Sequence, residues 1–237
     1  MYNVRSVLEH GCPVWSPIIK DTHWNKLQSI QNQALRIATG NLAMAPIDHL
    51  HQETKVLPIR NHCEMVSKQF LAACHTPDHP GNKQLLKEKN KRKMKNTIVT
   101  MHEEEIANKF TTHQPTTEEY KNVIKIIHTE SVANTINNYQ NNKVLLRKPP
   151  EISTKEKELS RNTRVELSRL RSGYSRKLNS YMSRIDQEIQ DRCPSCNFSP
   201  HNTEHLFNCP ENPTELEAED LWTKPDEAAE FLQFDVP

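Results

Sequence analysis

The sequence predicts a mainly α-helical protein that carries a small metal-binding module. Apolar residues recur at steps of three and four in several stretches, which is the spacing of one helix face. Glycine is scarce, with 4 in 237 residues, and this disfavours a β-sandwich or a glycine-rich nucleotide fold. Cysteine and histidine cluster in residues 193–209 at spacings typical of metal ligands.

The composition favours small helical cores joined by polar segments over one large core. Only 35% of the residues are hydrophobic and 6% aromatic, and the mean hydropathy is -0.81. No apolar run approaches the roughly 18 residues that a membrane span requires, and Met1 leads into charged sequence rather than a signal peptide. We therefore expect a protein of the nucleus or cytoplasm that has no membrane partner.

Residues 1–75 predict a small bundle of amphipathic helices. One helix is expected from Asp21 or Thr22 to Thr39, and its apolar residues are Trp24, Leu27, Ile30, Ala34, Ile37 and Ala38. Another begins after Pro58, and its apolar residues are Ile59, Cys63, Val66, Phe70 and Ala73. Shorter helices are expected before Gly11 and after Pro46. Because short connections join these helices, we expect Trp24, Cys63 and Phe70 in a shared core.

Residues 76–155 are predicted to form a polar spacer that is disordered or loosely helical. Prolines and Gly81 interrupt the helical pattern, and asparagines around residues 137–142 lie near its end. Residues 123–127 are apolar enough for a short helix or strand. A basic run consists of Lys87, Lys89, Lys91, Arg92, Lys93 and Lys95. This run is compatible with a solvated linker, a nuclear-import signal or a phosphate-binding patch.

Residues 156–190 predict a basic amphipathic helix. Its apolar face contains Leu167, Leu170, Tyr174, Leu178, Tyr181 and Ile185. Its candidate nucleic-acid contacts, placed away from that face, are Arg161, Arg164, Arg169, Arg171, Arg176, Lys177 and Arg184. Glu166 is the one acid among them, so a phosphate-binding surface is favoured over a solvated helix face. Gly173 interrupts the helix at a cost of about 1 kcal/mol and allows a kink or a close approach of another backbone.

Residues 191–237 predict a zinc module with an acidic helical tail. Cys193 and Cys196 are separated by two residues, so a tight turn can direct both thiolates at one ion. His205 and Cys209 are four residues apart, which places them on one face of a helical turn. Four protein ligands leave no open position for water, so this zinc is expected to be structural. Structural zinc contributes about 10–16 kcal/mol to the folding of segments of finger size.

Two alternatives accompany this assignment. His201 lies between the two cysteine pairs and is an alternative ligand to His205, although it follows Pro200 and suits a loop. Buried free thiols or a disulfide are the other possibility for the cysteines.

We expect Asn202 or Thr203 to cap the ligand-bearing helix. Beyond Cys209 the chain is acidic, and its later aromatic residues are expected to pack back on the module.

Several stretches together resemble a known family. They read LEHGCPVWSP at 8–17, KLQSIQN at 26–32, ALRIATG at 34–40, LRSGY at 170–174, NSY at 179–181, RID at 184–186, CPSC at 193–196 and HLFNCP at 205–210. In this order they resemble the thumb and the cysteine-histidine tail of jockey-like non-LTR retrotransposon reverse transcriptases. Both ends of the chain carry the resemblance, whereas the middle spacer is unspecific.

The resemblance implies a thumb-like bundle that grips the template–primer backbone. It implies that the basic helix and the zinc module bind element RNA or position it at target DNA. The family's polymerase chemistry uses a palm motif of the type Tyr-x-Asp-Asp, and this sequence contains none. The chain is therefore expected to be a truncated, non-catalytic part of an RNA-directed DNA polymerase, with no small-molecule substrate. Its CCHC spacing also departs from the retroviral zinc knuckle, since only His201 fits the first half of that pattern.

Two other function classes fit the module. A zinc-stabilised protein-interaction module suits the acids that follow Cys209. A zinc hydrolase or nuclease would need an open metal position and a general base, for which His201 and Glu204 are the candidates. Four protein ligands disfavour the hydrolase.

Overall fold

The computed structural model describes residues 2–83, 85, 97–112 and 115–234, with side chains from residue 6 onward. All regular structure in these ranges is helical, with no β-strand among them, so the predicted mainly α fold is confirmed. The α-helices in these ranges include Tyr2–Glu9, Cys12–Trp15, Asp21–Thr39, Ile47–Thr54, Ile59–Cys74, Ile98–Ala107, Thr117–Asn138, Arg161–Ser172, Asn179–Met182, Thr203–Phe207, Asp220–Thr223 and Pro225–Phe231, and Thr154–Glu158 is a 3-10 helix. The predicted basic run from Lys87 to Lys95 lies outside the described residues.

None of the described helices combines the length and the apolar character needed to cross a bilayer. The chain divides into two compact units that do not follow the four predicted segments. The first unit contains Met1–Gln31 and Val56–Asn138, and the second contains Asn32–Lys55 and Tyr139–Pro237. The division therefore falls inside the long helix Asp21–Thr39.

Packed helices occupy part of the predicted polar spacer in the first unit. Ile59–Cys74 packs against Ile98–Ala107 and Thr117–Asn138. Val123 and Ile127 are buried in the resulting core, at 2% and 1% exposure, because residues four apart lie on one helix face. Of the two predicted alternatives, disorder is wrong for these two helices, and a helical spacer is what the structure has. The sequence pattern concealed the longer helix because Ile126 and Ile136 lie on its exposed side.

A smaller core in the first unit contains Cys12, Trp24, Ile59 and Cys63. The prediction of buried Trp24 and Cys63 is confirmed. The prediction for Phe70 is wrong, since 44% of this residue is exposed.

The buried face of helix Asp21–Thr39 also differs from the predicted stripe. Ile30 and Ile37 are 47% and 70% exposed, whereas Gln31 and Leu35 are buried. The amide nitrogen of Gln31 has a partner there, because its Nε2 donates to the carbonyl oxygen of Leu57 at 3.0 Å, whereas its Oε1 is buried without one. Neighbouring elements, and not the apolar spacing alone, set which face of this helix is buried.

The second unit is built around helix Arg161–Ser172. The core residues of this unit include Leu167, Leu170, Leu178, Tyr181, Phe207, Leu221 and Trp222. Ser160 caps the helix by accepting a hydrogen bond from the backbone N–H of Thr163 at 3.2 Å. The helix ends at Gly173, which has a left-handed φ of 74°. The predicted continuous helix over residues 156–190 is therefore wrong, because this left-handed residue redirects the chain into a separate short helix.

Candidate metal centre

Four side chains converge in the second unit. The ligand atoms of Cys193, Cys196, His205 and Cys209 all lie within 4.8 Å of one another, and no other group of this kind occurs in the part of the chain that the structure describes. The six cysteines are all free thiols, so none of them forms a disulfide. These four residues can hold a metal ion.

A tight turn brings Cys193 and Cys196 together. The backbone N–H of Cys193 donates to the carbonyl oxygen of Phe198 at 2.7 Å, and the N–H of Asn197 donates back to the carbonyl oxygen of Cys193 at 2.9 Å. Asn197 has a left-handed φ of 62°, which asparagine tolerates better than most residues. The two hydrogen bonds fix the thiols on one side of the turn.

A short helix, Thr203–Phe207, supplies His205. The Asn202 side chain, one of the two predicted caps, accepts from the N–H of His205 at 2.9 Å. The helix ends at Phe207, so Cys209 lies beyond it and does not share its helical turn, contrary to the prediction. The chain nevertheless returns Cys209 to the cluster, with its Sγ 3.8 Å from the Sγ of Cys193.

The environment of Cys193 favours its thiolate form. Burial alone would raise the pKa of Cys193, but hydrogen bonds from the backbone N–H groups of Cys196 and Ser195 and from His205 lower it to about 6. Thiolates, not thiols, are the metal-binding form of cysteine. The Nε2 of His205 lies 3.2 Å from the Sγ of Cys196, so the imidazole faces the same point as the sulfurs.

His201 has a different place from the four cluster residues. Its Nδ1 accepts a hydrogen bond from the backbone N–H of Asn179 at 3.0 Å, and its backbone N–H donates to Asp191 Oδ1 at 2.8 Å. The residue is 5% exposed, and burial lowers the pKa of its ring. His201 therefore attaches its loop to helix Asn179–Met182, and His205 is the histidine of the cluster.

The ligand-bearing helix is anchored on the core of the second unit. Thr203 Oγ1 donates to the carbonyl oxygen of Leu170 at 2.9 Å, and the rings of Phe207 and Phe231 are stacked with centroids 5.8 Å apart. Trp222 is 2% exposed in the same core. The expectation that the later aromatic residues pack back on the module is confirmed.

The predicted basic residues divide into exposed and structural sets. The exposed members are Arg161, Arg164, Arg176, Lys177 and Arg184. Arg169 is half-buried, and its Nε donates to the carbonyl oxygen of Gly40 at 2.9 Å while its Nη1 pairs with Glu166. Arg171 is fully buried, at 0% exposure. Its assignment as a nucleic-acid contact is wrong, because nothing in solution can reach its guanidinium.

Arg171 forms a buried charge network that the sequence analysis missed. Its Nη1 donates to Glu53 Oε1 at 2.8 Å, its Nη2 pairs with Glu156, and its Nε donates to the carbonyl oxygen of Leu221 at 2.9 Å. Burial alone would raise the pKa of Glu53, but the charges of Arg171 and His49 outweigh it and lower the pKa. One signal was available in the sequence. Arg171 follows Leu167 by four residues, which places it on the apolar face.

No family model, curated protein or solved structure matches the chain at a significant level. The geometry of the four ligand atoms therefore carries the assignment of a candidate metal centre.

Proposed function

We propose that the metal at this centre is zinc in a structural role. Three thiolates and one imidazole form a Cys₃His set, which is a usual ligand set for structural zinc. Four protein ligands would complete a tetrahedral shell and leave no position for a reacting water. The ion would hold together a turn and a helix of five residues, which are too short to form a core of their own.

We further propose that the chain is a nucleic-acid-binding, non-catalytic part of a non-LTR retrotransposon reverse transcriptase. The observation that carries the proposal is the convergence of Cys193, Cys196, His205 and Cys209, the residues of the motifs that resemble the tail of this family. In this role the module would bind element RNA or target DNA and place it for a polymerase domain. A nuclear or cytoplasmic location belongs to the same proposal.

The exposed cations define the proposed phosphate contacts. Arg161 and Arg164 are three residues apart and lie on one side of helix Arg161–Ser172. Arg176, Lys177 and Arg184 are exposed on the chain that leads to the metal cluster. The Lys177 ammonium lies 3.9 Å from the centroid of the Phe234 ring, which positions it at the surface.

The test is metal content and RNA affinity measured on one preparation of the full chain. Cys196→Ser/Cys209→Ser removes two ligands, and we expect it to lose both the bound zinc and the RNA binding. Arg161→Gln/Arg164→Gln/Arg176→Gln should keep the zinc and weaken RNA binding. In the plot of log affinity against log salt, each lost phosphate contact should reduce the slope by roughly 0.7 to 0.9.

A matched control removes the same charge from the first unit. Lys83, Lys121 and Lys125 are exposed there, outside the thumb-like residues 1–75, and replacing all three with glutamine should leave RNA affinity nearly unchanged. Equal losses in the two triple variants would mean that only net charge matters and would reject the assigned contacts. A chain that binds no metal would reject the zinc centre.

One observation favours a protein partner as the second candidate. The first unit has an open apolar groove of about 350 Å³ whose lining includes Val14, Ile18, Phe70 and Ile98. Val14 and Ile18 are 79% and 67% exposed. Zinc binding without RNA binding would move the assignment to a zinc-stabilised protein-interaction module.

A further inference from the structure

Leu146 combines an unfavourable backbone conformation with an exposed apolar side chain. Its φ is 55°, in the left-handed region that residues with a large side chain rarely adopt. Its side chain is directed to solvent, with 78% of the residue exposed. Neither the candidate metal centre nor the core explains this leucine. Strained residues that the surrounding structure holds in place occur preferentially at functional sites.

The buried side chain of Asn142 holds Leu146 in this conformation. Its Oδ1 accepts from the backbone N–H groups of Val144 at 2.8 Å and Leu145 at 3.1 Å, and its Nδ2 donates to the carbonyl oxygen of Arg171 at 3.0 Å. The Leu146 N–H donates to the carbonyl oxygen of Asn142 at 2.8 Å. Because the turn is attached to helix Arg161–Ser172 in this way, Leu146 is presented by a fixed backbone.

Cations surround this leucine. Residues 142–148 contain Lys143, Arg147 and Lys148 and no acid, and all three cations are exposed. The Lys143 ammonium lies 4.4 Å from the centroid of the Tyr174 ring, Arg147 pairs with Glu219, and Lys148 donates to the carbonyl oxygen of Tyr139. These contacts hold the three cationic side chains in place. The net charge of the three cations and Glu219 together is still positive.

We propose that the turn of residues 142–148 is a nucleic-acid contact in which Leu146 inserts between adjacent bases while the flanking cations bind the phosphates. The inference rests on the proposed function and adds a second contact surface to it. Proteins that bend or unstack nucleic acid use apolar side chains as wedges in this way. A protein partner fits less well, since one leucine offers far less apolar area than a stable protein interface buries.

The test uses Leu146→Asn in the full chain. Asparagine tolerates a left-handed φ, so the variant should fold at least as stably as the wild type while it lacks the apolar wedge. The probe is an RNA hairpin that carries a fluorescent adenine analogue, whose emission rises when the base unstacks. We expect the variant to lose roughly tenfold in affinity and most of the fluorescence increase. The salt slope should be unchanged, because no charge is removed.

Gln233→Asn is the matched control. Gln233 is also exposed and has a left-handed φ of 54°, so this variant relieves the same kind of backbone strain without touching the proposed wedge. It should bind the hairpin as the wild type does. Lys143→Gln/Lys148→Gln should reduce the salt slope and lower the affinity.

The outcomes separate this inference from the proposed function. If the wild type binds the hairpin and Leu146→Asn binds it equally well with the same fluorescence increase, the wedge is rejected and the proposed function stands. If the wild type binds neither RNA nor DNA, both proposals are rejected.

Discussion

At the scale of single residues, Arg171 connects parts of the second unit that are distant in sequence. Glu53 is 118 residues away from it and Glu156 is 15 residues away, and both carboxylates contact its guanidinium. The guanidinium also lies 5.7 Å from the centroid of the Trp222 ring. Such a network adds little net stability, because burying three charges costs much of what their attraction gains.

We predict that Arg171→Met strongly destabilises the protein. The substitution leaves Glu53 and Glu156 without their cation, and breaking a buried ion pair on one side costs about 3–5 kcal/mol in the free energy of unfolding. This change in the free energy of unfolding can be measured by urea denaturation, with circular dichroism as the readout. Arg164→Met is the control, since an exposed arginine should alter stability by only about 0.5 kcal/mol.

Substituting the acids as well tests the cause of this loss. Glu53→Gln/Glu156→Gln/Arg171→Met removes both unpaired carboxylates, so it should recover part of the stability that Arg171→Met loses. If the triple variant is no more stable than Arg171→Met, the loss reflects packing around the arginine and not its charge.

At the scale of elements, two glycines allow chain reversals at helix ends. Gly40 follows helix Asp21–Thr39 with a φ of 69°, and Gly173 follows helix Arg161–Ser172 with a φ of 74°. Their surroundings differ. A Cβ on Gly40 would lie 2.6 Å from the nearest atom of the Val165 side chain, whereas a Cβ on Gly173 would meet its nearest neighbour, Val144, at 3.5 Å.

We predict that Gly40→Ala destabilises the protein more than Gly173→Ala. Both substitutions force alanine into a left-handed conformation, which costs roughly 1–2 kcal/mol. Gly40→Ala also displaces Val165, and such overpacking typically costs about 1–3 kcal/mol more. Thermal unfolding of the two variants compares them directly. Adding Val165→Ala should lessen the loss in Gly40→Ala if the clash is its cause, and an unchanged loss would contradict that explanation.

At the scale of the whole molecule, the candidate metal centre lies entirely in the second unit. The helix Thr203–Phe207, which carries His205, contacts the core of this unit at Leu170 and Phe231. The first unit has hydrophobic cores of its own. Metal binding should therefore stabilise the two units unequally.

We predict that removing the metal loosens the second unit and leaves the first largely unchanged. Chelation of the metal-loaded protein should increase amide hydrogen exchange in residues 179–209, because the cysteine turn and the short helix depend on the ion. Exchange in helix Ile59–Cys74 and helix Thr117–Asn138 should change little. Cys196→Ser/Cys209→Ser should reproduce the chelated pattern without chelator. Equal loosening of both units would show that the ion stabilises the entire chain.

The candidate ligands could be predicted from the sequence because their spacing is local. Cys193 and Cys196 are joined by one turn, and His205 and Cys209 follow within a few residues, so ligand type and short spacing indicated the cluster. The choice of His205 over His201 needed the folded chain, in which His201 has other partners. The cap by Asn202 was predictable for the same reason. The mainly helical fold followed from apolar periodicity and the scarcity of glycine.

Long-range packing decided the rest. Burial of Arg171 depends on Glu53 and Glu156, which only the folded chain brings to it. The order of helix Thr117–Asn138 depends on its packing against Ile59–Cys74, which its own weakly amphipathic sequence does not reveal. The sequence by itself thus determined the helical class and the segment of candidate metal ligands, with His201 and His205 both open. Tertiary structure alone decided which cations are exposed, because exposure depends on neighbours that are remote in sequence.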